Sequence, residues 1–216
     1  MLKTSFLVVT FISFLIPLTI MGQDSNSLQF TGGIISPMSS SRGLTGNVQF
    51  NYVLNSNVIF YISSGYSSWN YYFIIFHEDF SPVQHQQYFR KAAASDHYMI
   101  PLYVGSRINF HTIKLFTSFI EFEAGYSYLH FNSYDFRKVI IPETGEVLDY
   151  AQISKTKNSE NLFGIGIGAG ISHPITDNFS LILEFKLNSH ITSNYPGLFS
   201  TRGTYTRFTA GFNFNI

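Results

Sequence analysis

Residues 44–54 read L-T-G-N-V-Q-F-N-Y-V-L. Leu44, Gly46, Val48, Phe50, Tyr52 and Leu54 fall on one face, and Thr45, Asn47, Gln49, Asn51 and Val53 on the other. A period of two, apolar against polar, marks a β-strand with one face in oil and one among polar groups. The same period recurs in residues 28–36, 58–71, 98–110, 115–130, 161–173, 179–188 and 204–216, which predicts eight strands. Residues 161–173 show it most plainly: Phe163, Ile165, Ile167, Ala169 and Ile171 alternate with Gly164, Gly166, Gly168 and Gly170.

The links between these segments alternate in length. Residues 55–57, 111–114 and 174–178 are short links, residues 72–97, 131–160 and 189–203 are long ones, and residues 37–43 are intermediate. Successive links of an up-and-down barrel lie at opposite ends. Short turns at one end and long loops at the other are the habit of membrane barrels. The predicted fold is an all-β, eight-stranded antiparallel up-and-down transmembrane β-barrel, with both termini on the short-turn side.

Composition narrows the setting. Charged residues make up 12% of the 216-residue chain and aromatics 18%, yet mean hydropathy is near neutral at +0.09. Soluble domains carry about 25% charge, so this chain is greasy on one face and polar on the other. The formal net charge is zero, which gives no electrostatic reason to expect nucleic acid. There is no cysteine, which removes disulfides, thiolate metal sites, thiol nucleophiles and lipid attachment through an N-terminal cysteine.

Residues 1–22 read as a signal peptide: Lys3, an uncharged apolar stretch over residues 6–20, then Gly22 before a polar start. The mature barrel is then residues 23–216. Past this leader no apolar run reaches the ~18 residues of a membrane helix, so a span has to be built from closed strands.

The charges within strands follow the same alternation. Arg107, Glu121, Glu123, Glu184, Lys186 and Arg207 all fall on the face opposite the apolar one. Lipid-facing charge costs roughly 2–4 kcal/mol at the midplane, so these six are expected to form a lumen network, acids balancing bases. About eight strands leave an interior that side chains fill, so the lumen is expected to be plugged. A soluble, lipocalin-like binding barrel in the periplasm gives the same alternation with the faces exchanged, and stays open at this point.

The last eight residues, T-A-G-F-N-F-N-I, resemble the C-terminal insertion signal of bacterial outer-membrane barrels at Thr209, Gly211, Phe214 and Ile216. The chain ends on Ile where Phe is commoner. The phrases M-I-P-L-Y-V-G (residues 99–105), F-I-E-F-E-A-G-Y (119–126) and P-I-T-D-N-F-S-L (174–181) look like the outer-membrane β-barrel domain family widespread in Bacteroidetes-type bacteria. In architecture the chain is similar to small OmpA/OmpX-type barrels. The resemblance implies export to the bacterial outer membrane, outer-membrane lipid around the barrel, and pairing of the last strand with the barrel assembly machinery. It implies no single activity.

Function is then expected in the long links. Tyr71, Tyr72, Phe73, Ile74, Ile75 and Phe76 form an apolar run that serves as a strand rim with aromatic girdle or as a contact patch for a protein or lipid partner. Residues 139–141 and 147–150 flank P-E-T-G-E and predict a projecting hairpin able to add strands to another chain. The reading is a monomeric structural or partner-binding barrel with no catalytic residue, metal or cofactor. The enzymatic alternative is an outer-membrane lipid A deacylase-like hydrolase using His190 and Ser193; its family's motif places one residue between His and Ser, and here there are two.

Overall fold

The computed structural model describes residues 26–38, 40–78, 87–113, 115–140, 143, 145, 147–192 and 203–216. The leader assigned to residues 1–22 lies outside them. Eight strands follow in chain order: β1 (Ser27–Pro37), β2 (Gly43–Asn55), β3 (Val58–Glu78), β4 (Gln87–Ile113), β5 (Phe116–Ile140), β6 (Val147–Thr176), β7 (Phe179–His190) and β8 (Thr204–Asn215). Each pairs antiparallel with the next, and β8 pairs with β1, so the sheet closes as an all-β barrel.

The register fixes the barrel's dimensions. Following partners from Ser27 through Asn51, Tyr61, Gly105, Glu123, Gly166, Asn188 and Tyr205 returns to β1 at Pro37, ten residues above the start. With ~3.3 Å per residue and ~4.8 Å between strands, that stagger tilts the strands by about 41°. A barrel this narrow curves hard, and some inward positions have no room for a side chain. A Cβ on Gly211 would sit 1.8 Å from the carbonyl oxygen of Phe30 on β1. Glycine is therefore required where the last strand closes on the first.

The apolar faces point outward. Val104, Phe185 and Ile167 are about half exposed, at 58%, 50% and 49%, while Arg107 and Lys186 on the opposite face are 4% and 2% exposed. This is the reverse of a lipocalin-like barrel, whose oily face would be inside, and it rejects that alternative. Outward aromatic residues line the band, with Phe110, Phe116 and Phe214 near the short turns, Phe122, Phe185 and Phe208 in the middle, and the tyrosines Tyr66, Tyr98, Tyr126 and Tyr128 above. Phe116 and Tyr128 are separated by twelve residues of β5, about 30 Å along the barrel axis at that tilt, which matches a bilayer's hydrocarbon core.

The long strands overturn two loop expectations. The alternation of link lengths predicts a link over residues 72–97, but β3 runs to Glu78 and β4 starts at Gln87, paired from Trp69↔His97 up to Glu78↔Gln87. Residues 131–160 are likewise mostly strand, paired from Phe131↔Asn158 to Ile140↔Val147. The barrel is therefore lopsided: β3–β6 rise as a tall wall, while β1, β2, β7 and β8 stop low.

Candidate functional site

The inward face of the barrel carries the six charged side chains in one connected cluster. Arg107 on β4 clasps Glu121 Oε1 on β5 with Nε and Nη2, both at 2.6 Å. Lys186 Nζ on β7 lies 2.6 Å from Glu121 Oε2, 3.1 Å from Glu123 Oε2 and 3.9 Å from Glu184 Oε1. Arg207 Nη2 on β8 donates to Glu123 Oε1 at 2.7 Å. All six are at most 5% exposed. Their alternation with apolar neighbours put them inside, and closure of the sheet put them opposite one another.

Neutral side chains complete the cluster. Gln29 on β1 accepts from Arg107 Nη2 (2.7 Å) and donates to Glu184 Oε2 (3.1 Å). Tyr61 and Asn188 donate to the two oxygens of Glu123, at 3.1 and 2.5 Å. Thr209 donates to Glu184 Oε1 at 3.0 Å. Arg107 also stacks on Phe119, 4.2 Å from the ring centre, and Lys186 lies 5.1 Å from that of Tyr61. Gln29, Tyr61 and Asn188 escaped the sequence reading, which followed charge alone. All three share the inward parity, so the period of two was signal enough to find them.

Above the charges the lining becomes apolar. Ile35, Met99 and Tyr205 are buried together, with Trp69 and Leu129 packed against them. Higher still, His97 is sandwiched between Trp69 and Phe131, with ring centres 5.3 and 5.2 Å apart. Their rings stack because Trp69, His97 and Phe131 are direct cross-strand neighbours on one face.

His190 ends β7 on the inward face. It is buried, 5.4 Å from the ring of Tyr205, rather than presented to lipid. Ser193, its sequence partner, lies outside the described residues. The run from Tyr71 to Phe76 belongs to β3, paired residue by residue with β4 apart from one bulge at Tyr71/Tyr72. Of the C-terminal signal, Thr209 and Gly211 share the inward parity, while Phe214 and Ile216 are exposed on the outside.

The tall wall leaves backbone unpaired. β7 meets β6 only from Gly164 downward. At Phe163 the contact ends: its carbonyl accepts from Ile191 N (2.8 Å) and its N–H donates to Thr192 Oγ1 (2.7 Å). Residues 147–162 of β6 pair with β5 on one side and with no strand on the other, among the described residues. On the outer face of this section the side chains turn polar, with Asn161, Ser159, Lys157 and Lys155 following Phe163. Beside them Tyr134 on β5 donates to Asp96 on β4, and that bond pushes the Tyr134 phenol up to about 12.

No protein-family model matches the chain, and no curated protein sequence does. Solved structures do match it. Neisserial surface protein A (NspA) is 13% identical with a TM-score of 0.57, over 91% of this chain and 100% of that one. A major outer membrane protein from Thermus thermophilus is 10% identical with a TM-score of 0.54, over 89% and 99%. The outer membrane enzyme PagL also matches, at 12% identity and a TM-score of 0.40, over 89% and 100%.

Proposed function

We propose that this chain, which has the fold of the small eight-stranded outer-membrane barrels, is a closed-lumen barrel of a bacterial outer membrane that binds an extended protein segment along the β6 edge of its tall wall. The membrane setting rests on the outward apolar band, which water would not tolerate at this extent. The closed lumen rests on the ion-pair cluster below and the Ile35–Met99–Tyr205 cluster above. With short turns in the periplasm, the tall wall stands outside the cell.

The observation that carries the binding role is that β6 above Phe163 meets no strand opposite β5 among the described residues. Strand edges invite further strands, and proteins normally shorten or cover them. Here the edge is long, lifted clear of the membrane band and paired with no further strand among the described residues. An added strand gains affinity from main-chain hydrogen bonds and specificity from alternate side chains. Of the hydrolase pair, His190 faces the interior against Tyr205, and Ser193 lies outside the described residues.

Amide hydrogen exchange on the intact chain in nanodiscs tests it. The edge amides of Lys155, Lys157 and Ser159 are expected to exchange fast in the free chain and to become protected when an extended peptide binds. Edge amides already protected in the free chain, or unprotected with every strand-forming peptide of a varied panel, would overturn the role. Liposome swelling tests closure separately: sugars are expected not to pass, and sugar entry contradicts a plugged lumen.

A further inference from the structure

We infer that the β6 edge selects an extended peptide carrying acidic side chains at alternate positions, held opposite Lys155 and Lys157; this rests on the strand-addition reading above. Phe163 sets the geometry. Its N–H and C=O both point off the edge, to Thr192 and Ile191. The ladder to β5 then runs without a bulge from Phe163↔Tyr126 to Ser154↔Asp135. In a regular strand both side-chain direction and carbonyl direction repeat every two residues. Asn161, Ser159, Lys157 and Lys155 therefore offer their backbone groups to an incoming strand and place their side chains on the outer face of the sheet.

Two of these four are cations, and both are exposed. No ion pair holds either one among the described residues. Lys155 Nζ lies against the face of Tyr134, 5.7 Å from the ring centre. Next is Ile153, 62% exposed, which lies at the register shift between the Asp135↔Ser154 and Phe136↔Gln152 pairs and ends the regular ladder. Opposite charges directly across a strand pair stabilise it, and like charges destabilise it. The regular edge thus carries two basic side chains at alternate positions, and its complement is acidic at alternate positions. The same lysines disfavour neutral apolar strands, which keeps so long an edge from aggregating.

Height separates peptide from lipid as the source of the acid. Lys157 stands four residues beyond Asn161, the β6 partner of Tyr128 at the top of the hydrocarbon band, or about 10 Å along the barrel axis at the barrel's tilt. The headgroup layer is only about 5–8 Å deep on each side of the hydrocarbon. The lysines therefore stand above lipid phosphates, in water, beside unpaired main chain that matches another strand.

The test uses the intact chain in nanodiscs and eight-residue peptides of alternating Glu and Val, labelled for fluorescence anisotropy. Counterparts carry Gln or Lys for Glu, and a third has the Glu peptide N-methylated along one edge. The Glu peptide is expected to bind about fivefold more tightly than the Gln peptide, with the Lys peptide weaker still. Raising salt should shrink the difference, and the double variant Lys155→Gln, Lys157→Gln should abolish it. Equal binding of Glu and Gln peptides overturns the acidic preference and leaves strand addition standing. Equal binding of the methylated and unmethylated Glu peptides, with displacement by a sulfated polysaccharide, replaces the strand by a general polyanion and overturns both readings. Absence of binding by all the peptides also overturns both.

Discussion

Lys186 Nζ sits 2.6 Å from Glu121 Oε2 with both side chains shut away from solvent, at 2% and 1% exposure. The two residues belong to β7 and β5, separated by β6, which supplies Gly168 between them: Gly168 pairs with Glu121 on one side and Lys186 on the other. A Cβ on Gly168 would come within 2.8 Å of Lys186 Cγ. The glycine-alternating strand thus makes room for the ion pair to close across it.

Removing one partner leaves a buried charge without its counter-ion. Lys186→Met leaves three buried carboxylates, Glu121, Glu123 and Glu184, to two guanidiniums, Arg107 and Arg207, and this one uncompensated charge is expected to cost about 3–5 kcal/mol. Denaturant unfolding in detergent, followed by the heat-modifiable shift on gels, measures it. Adding Glu121→Gln to Lys186→Met should recover part of the loss, because one stranded charge is then gone. A double variant whose loss equals the sum of the single losses would show that the pair is not coupled.

Gly211 and Gly32 separate two roles for glycine. A Cβ on Gly211 meets the Phe30 carbonyl oxygen at 1.8 Å, whereas one on Gly32 meets nothing closer than 3.8 Å. Gly211→Ala is expected to reduce the folded, heat-modifiable fraction markedly, and Gly32→Ala to leave it unchanged. Similar folded fractions for the two variants would remove the closure argument for Gly211.

Tyr134 offers a titration above the membrane band. Its bond to Asp96 stabilises the neutral phenol and raises its pKa from 10.0 to about 12. A group raised in the folded state contributes stability that is whole below its unfolded pKa and is lost as pH climbs through the folded one. The contribution is thus present below about pH 10 and fades between about 10 and 12. Ultraviolet titration of the native chain against the Tyr134→Phe variant isolates this phenol. In an Asp96→Asn background it should ionise at lower pH, and an unmoved titration would exclude the bond.

The sequence made the barrel legible because a closed sheet with oil outside and polar groups inside forces every strand into the same period. All eight strands are found where that period placed them, from Leu28 on β1 to Phe214 on β8. The tip of the wall was legible as the hairpin expected from residues 139–141 and 147–150, where Val139 pairs with Asp149 and Ile140 with Val147; the rest of the upper halves of β3–β6 was not. Above Phe163 both faces of β6 meet water, so Lys157 and Lys155 follow no apolar partner and the alternation that marks a strand is gone. Pairing alone holds those residues in strands. The β6 edge was hidden for the same reason: it follows from where β7 stops, at His190, a boundary set by register rather than by any local pattern.

The absence of cysteine gives the most direct test of the inside-out barrel, because each introduced cysteine is then the sole labelling site. Spin labels at Val48, Val104, Ile167 and Phe208, on the outer face, are compared in bilayers with labels at Thr31, Ser63 and Thr209, on the inner face. The outer labels are expected to collide freely with oxygen dissolved in lipid and poorly with a water-soluble nickel chelate. The inner labels should be shielded from oxygen. Outer labels open to the nickel chelate, or no difference between the two faces, would contradict a lipid-facing apolar surface.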